Sequence, residues 1–261
     1  MKRTTRRKVN QAALYLALLL FFVLLASVAD WGAIKNNFLD VETMKGMFPD
    51  VIVVGARKTL VYTGIAFLGG LVLALFLALS KLSPVAPYRW LATGYIEFFR
   101  SLPALVVILF MGYGVPIAFQ WRPPGGTTGA GVLALIIVSA AYMAETLRAG
   151  IQAVPKGQAE AARSLGMSAG RTTISVVLPQ AFRIVIPPLT NEFVLLLKDS
   201  SLLYVLGMAV NQRELTSIAS DGMTYYSNAT SLVVAAVMYL VITLPLTRLV
   251  AQLERRQQRA R

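Results

Sequence analysis

Five stretches of this 261-residue chain contain no Asp, Glu, Lys or Arg: Val9–Ala29, Thr59–Ser80, Ser101–Trp121, Pro123–Ala144 and Gly222–Thr247. A helix that crosses a hydrocarbon core of roughly 30 Å needs about 20 apolar residues, and each stretch is long enough. The chain is 56% hydrophobic and 14% charged, far from the balance of a water-soluble domain. The expected fold is all-α and polytopic, with about six transmembrane helices. The six helices are expected near 11–30, 58–80, 101–120, 128–149, 187–209 and 229–250.

The charges orient these helices. With a cytoplasmic N-terminus, the inside segments 1–8, 81–100, 145–183 and 248–261 carry 5, 3, 5 and 5 Lys and Arg residues. The outside segments 30–58, 122 and 211–228 carry 4, 1 and 1, and Asp30, Asp40, Glu42 and Asp50 offset the first. This is the bias of the positive-inside rule, and it puts both termini in the cytoplasm. The net charge of +13 is thereby membrane orientation rather than a nucleic-acid surface. Ser27-Val28-Ala29 also resembles a signal-peptide cleavage site; retained or cleaved, residue 30 emerges outside. Residues 30–50 mix Trp31, Phe38, Met44, Met47 and Phe48 with polar positions, as either an amphipathic surface segment or a plain loop would.

The chain has no Cys and no His. Disulfides, thiolate nucleophiles and His-based metal or acid–base chemistry are excluded with them. No phosphate-binding G-x-x-x-x-G-K-[ST] loop occurs, so this chain does not bind ATP by that route.

The segment Arg148–Arg183 is the longest cytoplasmic connection, and it reads as structured. Pro155 suits the first turn of a helix, Gly157–Leu165 is rich in Ala, and Gly166 suits a left-handed stop. Ser168 can N-cap a second short helix, which ends or kinks near Pro179 because Pro lacks an amide donor. Two short helices around a Gly elbow form a protrusion that makes sense against a partner.

The residues Glu160-Ala161-Ala162-Arg163-Ser164-Leu165-Gly166, followed by Val176-Val177-Leu178-Pro179, resemble the EAA loop of ABC importer permeases. That pattern is Glu-Ala-Ala, three residues, Gly, nine residues and Ile-x-Leu-Pro, and Val176 is the one departure. Flanking segments resemble the polar amino-acid branch: Ala141–Glu145, Val154–Gln158, Glu97–Pro103, Asn191-Glu192 and Leu197–Leu202. Ser101-Leu102 and Ala149 depart from it. The resemblance covers roughly residues 55–250. It implies a transmembrane permease domain over 55–250 with a coupling loop at 150–180. An N-terminal helix and outer segment over 1–54 precede it, and a basic tail over 251–261 follows.

The resemblance further implies a type I importer built from several chains. A second permease subunit, the same or a sister chain, pairs with this one on two ATPase subunits, and an extracytoplasmic amino-acid-binding protein delivers the substrate. ATP and Mg bind to the ATPase, so this chain is not itself an enzyme and needs no cofactor. Glu160, Ala161, Ala162, Arg163 and Gly166 are the expected coupling contacts.

Glu192, Lys198 and Asp199 fall within the fifth expected span. Measured from Pro187, Lys198 lies about 16 Å along the helix, at ~1.5 Å per residue, near mid-membrane. A charge there costs roughly 2.5–3.5 kcal/mol and faces a cavity or a partner. Lys198, Asp199, Ser200, Ser201 and Glu192 are therefore candidates for the substrate path. A Lys198–Glu192 pair that only holds the bundle together is the other reading. Glu145 is expected to pair with Arg148 one turn away, and the tyrosines to anchor the span ends at the interface. The competing class is an ion-coupled secondary transporter of amino acids, which would also place carboxylates in the membrane.

Overall fold

The computed structural model describes residues 3–259, and among them it is helical without strands. Lys2 and Arg261, two of the basic residues behind the orientation argument, lie outside the described residues. Helix α1 (Arg3–Val28) is followed by two short helices, α2 (Trp31–Phe38) and α3 (Val41–Met47). Then come α4 (Arg57–Lys81), α5 (Ala86–Ser101), α6 (Ala104–Leu109), α7 (Val115–Phe119) and α8 (Gly126–Gln152). The remainder is α9 (Lys156–Ser164), α10 (Ala169–Thr172), α11 (Leu178–Asp199), α12 (Leu215–Tyr226) and α13 (Thr230–Arg259). Among the described residues five helical stretches are long and apolar enough to span a membrane, and a bent pair, Ala86–Ser101 with Ala104–Phe119, passes the same test when its two helices are taken together.

The expected third helix, 101–120, differs from this arrangement. The chain turns by 104° between α5 and α6. Leu102 is extended (φ −96°, ψ 140°) because the ring of Pro103 excludes the helical region for the residue before it. The preceding segment, expected to be a cytoplasmic connection, is helical from Ala86.

The fifth span also begins earlier than the predicted 187–209: the apolar stretch runs over Ala169–Leu206. A π-helical turn at Thr173–Val177 precedes α11, and Pro179 sits in the first turn of α11, where no amide donor is required. Pro187 and Pro188 lie inside α11 without ending it. Val185, Pro187 and Leu189 are buried there. Gly150 of α8 admits Val185 so closely that a Cβ on Gly150 would collide with it.

The core is α8, packed chiefly on α4 and α11. Gly69 and Gly70 of α4 lie against Ile136 and against Ser139 and Met143 of α8, where any side chain would clash. Small residues here let the two helix backbones approach closely. Gly131 likewise accepts Leu203 and Leu206, whereas Gly129, in the first turn of α8, packs against the carbonyl of Pro124 in the loop before it.

Four of the tyrosines bond to backbone carbonyls of other elements. Tyr62 donates to the carbonyl of Gln212 (2.8 Å), Tyr95 to Ile137 (2.9 Å), Tyr113 to Val205 (3.2 Å) and Tyr142 to Arg100 (3.3 Å). A hydroxyl within the bundle needs an acceptor, and these four cross-link elements.

Residues 31–47 are neither a plain loop nor a single amphipathic strip. The side chains of Asp30 and Asp40 cap α2 and α3 by accepting from the amides of Ala33 and Thr43, both at 2.9 Å. The hydroxyl and then the amide of Thr43 hold the Asp40 carboxyl below its usual range. Asn228 donates to the Thr43 hydroxyl (2.8 Å), and the Asp40 amide donates to the Thr230 hydroxyl (3.1 Å). The segment is therefore clasped to the start of α13, with Thr43, Met47 and Thr230 buried.

Candidate functional site

At the end of the bundle opposite α3 and α12, α8 leads into a two-helix protrusion. Helix α9 ends in a left-handed residue, Gly166 (φ +85°). The amide of Gly166 donates to the carbonyl of Arg163 (3.0 Å), and that of Met167 to Ala162 (3.2 Å), the paired bonds of a Schellman stop. Ser168 then caps α10 by accepting from the Arg171 amide. This is the Gly elbow the sequence predicts.

The elbow divides the motif by exposure. Ala162 is buried at the base of the protrusion, while Glu160, Ala161, Arg163 and Gly166 are exposed. Leu165 is 86% exposed, a large apolar side chain held out at the tip. The sequence includes Leu165 in the motif without marking it as a contact; its exposure follows from the stop that ends the helix beside it. A Cβ on Gly166 would meet nothing within 4 Å, so its positive φ alone demands glycine there.

The root of the protrusion is tied to the membrane bundle. Arg148 donates to Glu145 through Nε (2.8 Å), as the spacing predicts, and to Gln152 (2.7 Å). Lys81, at the end of α4, bonds the other oxygen of Glu145. That third member is not legible in the sequence, because 64 residues separate it from Glu145.

The polar candidates of the fifth span lie where α11 gives way to a 3-10 helix, Ser200–Leu206. Lys198 and Asp199 are exposed, Glu192 and Ser201 are half-buried, and Ser200 is buried with its hydroxyl donating to the Leu197 carbonyl (2.7 Å). Ser200 is therefore turned inward, away from the face that bears its two charged neighbours. No ion pair joins Lys198 to Glu192 or to any other described residue. Helix α11 begins nine residues before Pro187, so Lys198 is nearer the α12 end of the bundle than a count from Pro187 implies. Among the described residues no group of three or more acidic side chains could hold a metal ion.

A bundle of membrane-spanning helices with a structured two-helix protrusion at one end and charged residues on an exposed helical face defines a membrane permease component. A family model described as "binding-protein-dependent transport system inner membrane component" matches residues 70–259, and the chain belongs to that family. The probable glutamine ABC transporter permease protein GlnM of Bacillus subtilis (strain 168) is 37% identical over 79% of this chain and 93% of its own length. The glutamate/aspartate import permease protein GltK of Escherichia coli O157:H7 is 35% identical over 77% of this chain and 91% of its own. A crystal structure of an amino acid ABC transporter with histidines is similar at TM-score 0.73 and 38% identity, over 83% of this chain and 98% of that one. A structure of a bacterial ABC transporter for alginate, 12% identical, shares the fold at TM-score 0.68 over 97% of this chain and 99% of its own.

Proposed function

We propose that this chain is the permease subunit of an ATP-binding-cassette importer that moves a polar amino acid, of the glutamate/glutamine or basic class, across the cytoplasmic membrane. It works with a second permease subunit, two ATPase subunits that bind ATP and Mg, and an extracytoplasmic amino-acid-binding protein. The observation that carries this reading is the protrusion, with Leu165, Glu160 and Arg163 exposed on a rigid elbow. Its root is held to α4 and α8 through Glu145, so a push on the tip reaches the spans. The names of the relatives support amino acids as the cargo, and the charge bias supports cytoplasmic termini with the protrusion inside.

Lys198 and Asp199 border the translocation path in this reading. In a lone subunit both would lie on an exposed face of an apolar span, where a charged side chain is costly unless it faces a partner or a water-filled cavity. A second permease subunit and the water-filled space between the two remove that cost. Opposite charges at adjacent positions suit a zwitterion, the ammonium of Lys198 facing its carboxylate and Asp199 its ammonium.

Reconstitution tests the reading. Proteoliposomes holding this chain and its ATPase should accumulate amino acid only when ATP is inside and the binding protein outside. Uptake that persists without ATP and follows an imposed proton or sodium gradient would establish the ion-coupled alternative.

A further inference from the structure

At the end of the bundle away from the protrusion, an open cleft of about 600 Å³ separates the segment that follows α3 from α12. Gly46 and Asp50 line one side, and Arg213, Asp221, Tyr225 and Tyr226 the other. None of its lining residues comes from α8 or α11, so it is distinct from the polar face at Lys198. Both walls are preformed. The clasp of Asp40 and Thr43 onto Asn228 and Thr230 fixes α3, and Glu214, wholly buried, caps α12 through the amides of Thr216 and Ser217 (both 2.6 Å). Gly46 leaves room for the Tyr226 hydroxyl where any side chain would collide with it.

The geometry points to this cleft as the docking site for a basic surface of the extracytoplasmic binding protein, an inference that rests on the importer reading above. Two observations select that partner. Arg213 Nε pairs with Asp221 (2.7 Å), while Asp50 has no ion-pair partner among the described residues, which leaves the cleft with one uncompensated negative charge. Tyr225 is 81% exposed and stacks edge-on with Tyr226 (centroids 4.8 Å apart), so a large amphipathic ring is presented without a role in the core. Tyrosines of this kind anchor protein interfaces, and complementary charge steers the encounter. With the termini in the cytoplasm, as the charge bias supports, the cleft lies outside, where a soluble delivery protein meets the membrane. A rigid cleft also spares the ordering cost of binding. Residues 31–50 lie ahead of the region matched by the family model, and in this arrangement they supply one wall of the dock.

The test is ATPase stimulation of the reconstituted complex by its purified, amino-acid-loaded binding protein, titrated at low and at high salt. Asp50→Asn with Asp221→Asn should raise the half-saturating binding-protein concentration about tenfold at low salt, with the maximal stimulated rate retained. The difference should shrink at high salt, where surface charges are screened. Tyr225→Ala should raise it about fivefold at either salt. Glu42→Gln removes one negative charge at an exposed carboxylate outside the cleft and should change nothing. Stimulation of the wild type with unaltered titrations in all three cleft substitutions overturns the dock and leaves the importer reading intact. A wild-type complex that its binding protein does not stimulate overturns both.

Discussion

The carboxylate of Glu145, in the last third of α8, is shared between Lys81 at the end of α4 and Arg148 one turn further along its own helix. The three side chains are 16–30% exposed, so the cluster is partly withdrawn from water at the point where the two-helix protrusion leaves the bundle. Glu145→Gln leaves two cations competing for one neutral acceptor. The expected cost is about 1–3 kcal/mol, as for a partly buried group deprived of its charged partner. Thermal unfolding of the purified complex should record it, and ATP-driven uptake should fall further than ATP hydrolysis. A loss of hydrolysis equal to the loss of uptake would mean that the cluster serves stability alone.

Gly166 separates conformation from contact. Because a Cβ there meets nothing within 4 Å, Gly166→Ala should cost only about 1–2 kcal/mol, the penalty of a left-handed residue with a side chain. Gly166→Val adds β-branching and should tilt α9 enough to lower uptake severalfold while membrane insertion stays normal. Cross-linking between a cysteine at Leu165 and the ATPase should weaken in the same order. Equal cross-linking in all three proteins would remove the ATPase from this tip.

Lys198→Met removes a charge and keeps most of the aliphatic bulk. Since Lys198 makes no ion pair with any other described residue, the yield of assembled complex should be unchanged. The apparent affinity for the transported amino acid should drop about tenfold, read as a shift in the half-saturating substrate concentration for uptake. Collapse of assembly instead would place Lys198 in subunit packing.

Glu214 carries a pH dependence of definite sign. Burial pushes its carboxyl above the ordinary 4.5, and the bonds from Thr216, Ser217 and Tyr239 offset this only in part. The folded chain therefore keeps this proton at pH values where the unfolded chain has released it. The stabilisation is largest on the acid side and declines as pH rises from about 4.5 through the raised value, with a limiting slope of about 1.4 kcal/mol per pH unit. Thermal unfolding across that window should show the decline, and Glu214→Gln should flatten it. A profile unchanged by the substitution would assign the dependence to other groups.

Much of this molecule follows from local physics. The uncharged runs dictate membrane helices, since no other packing hides so much apolar surface. The elbow at Gly166 and the cap at Ser168 are set by the conformational freedom and hydrogen bonding of single residues within a few positions, and both are legible in the chain. The Glu145–Arg148 pair follows from one helical turn. What depends on contacts across tens or hundreds of residues is not legible: Lys81 as third partner of Glu145, the clasp of Thr43 onto Asn228, the cleft between Asp50 and Asp221, and the phenol bonds of Tyr62 and Tyr95. Span boundaries belong to this second kind at α11, where burial against α8 carries a helix through Pro187 and Pro188 that propensity alone would end. Exposure does too. The order Lys198-Asp199-Ser200 reads as three polar neighbours, and only packing turns Ser200 inward and leaves the two charges on a free face, because a helix rotates consecutive residues by about 100° and the core claims one side of it.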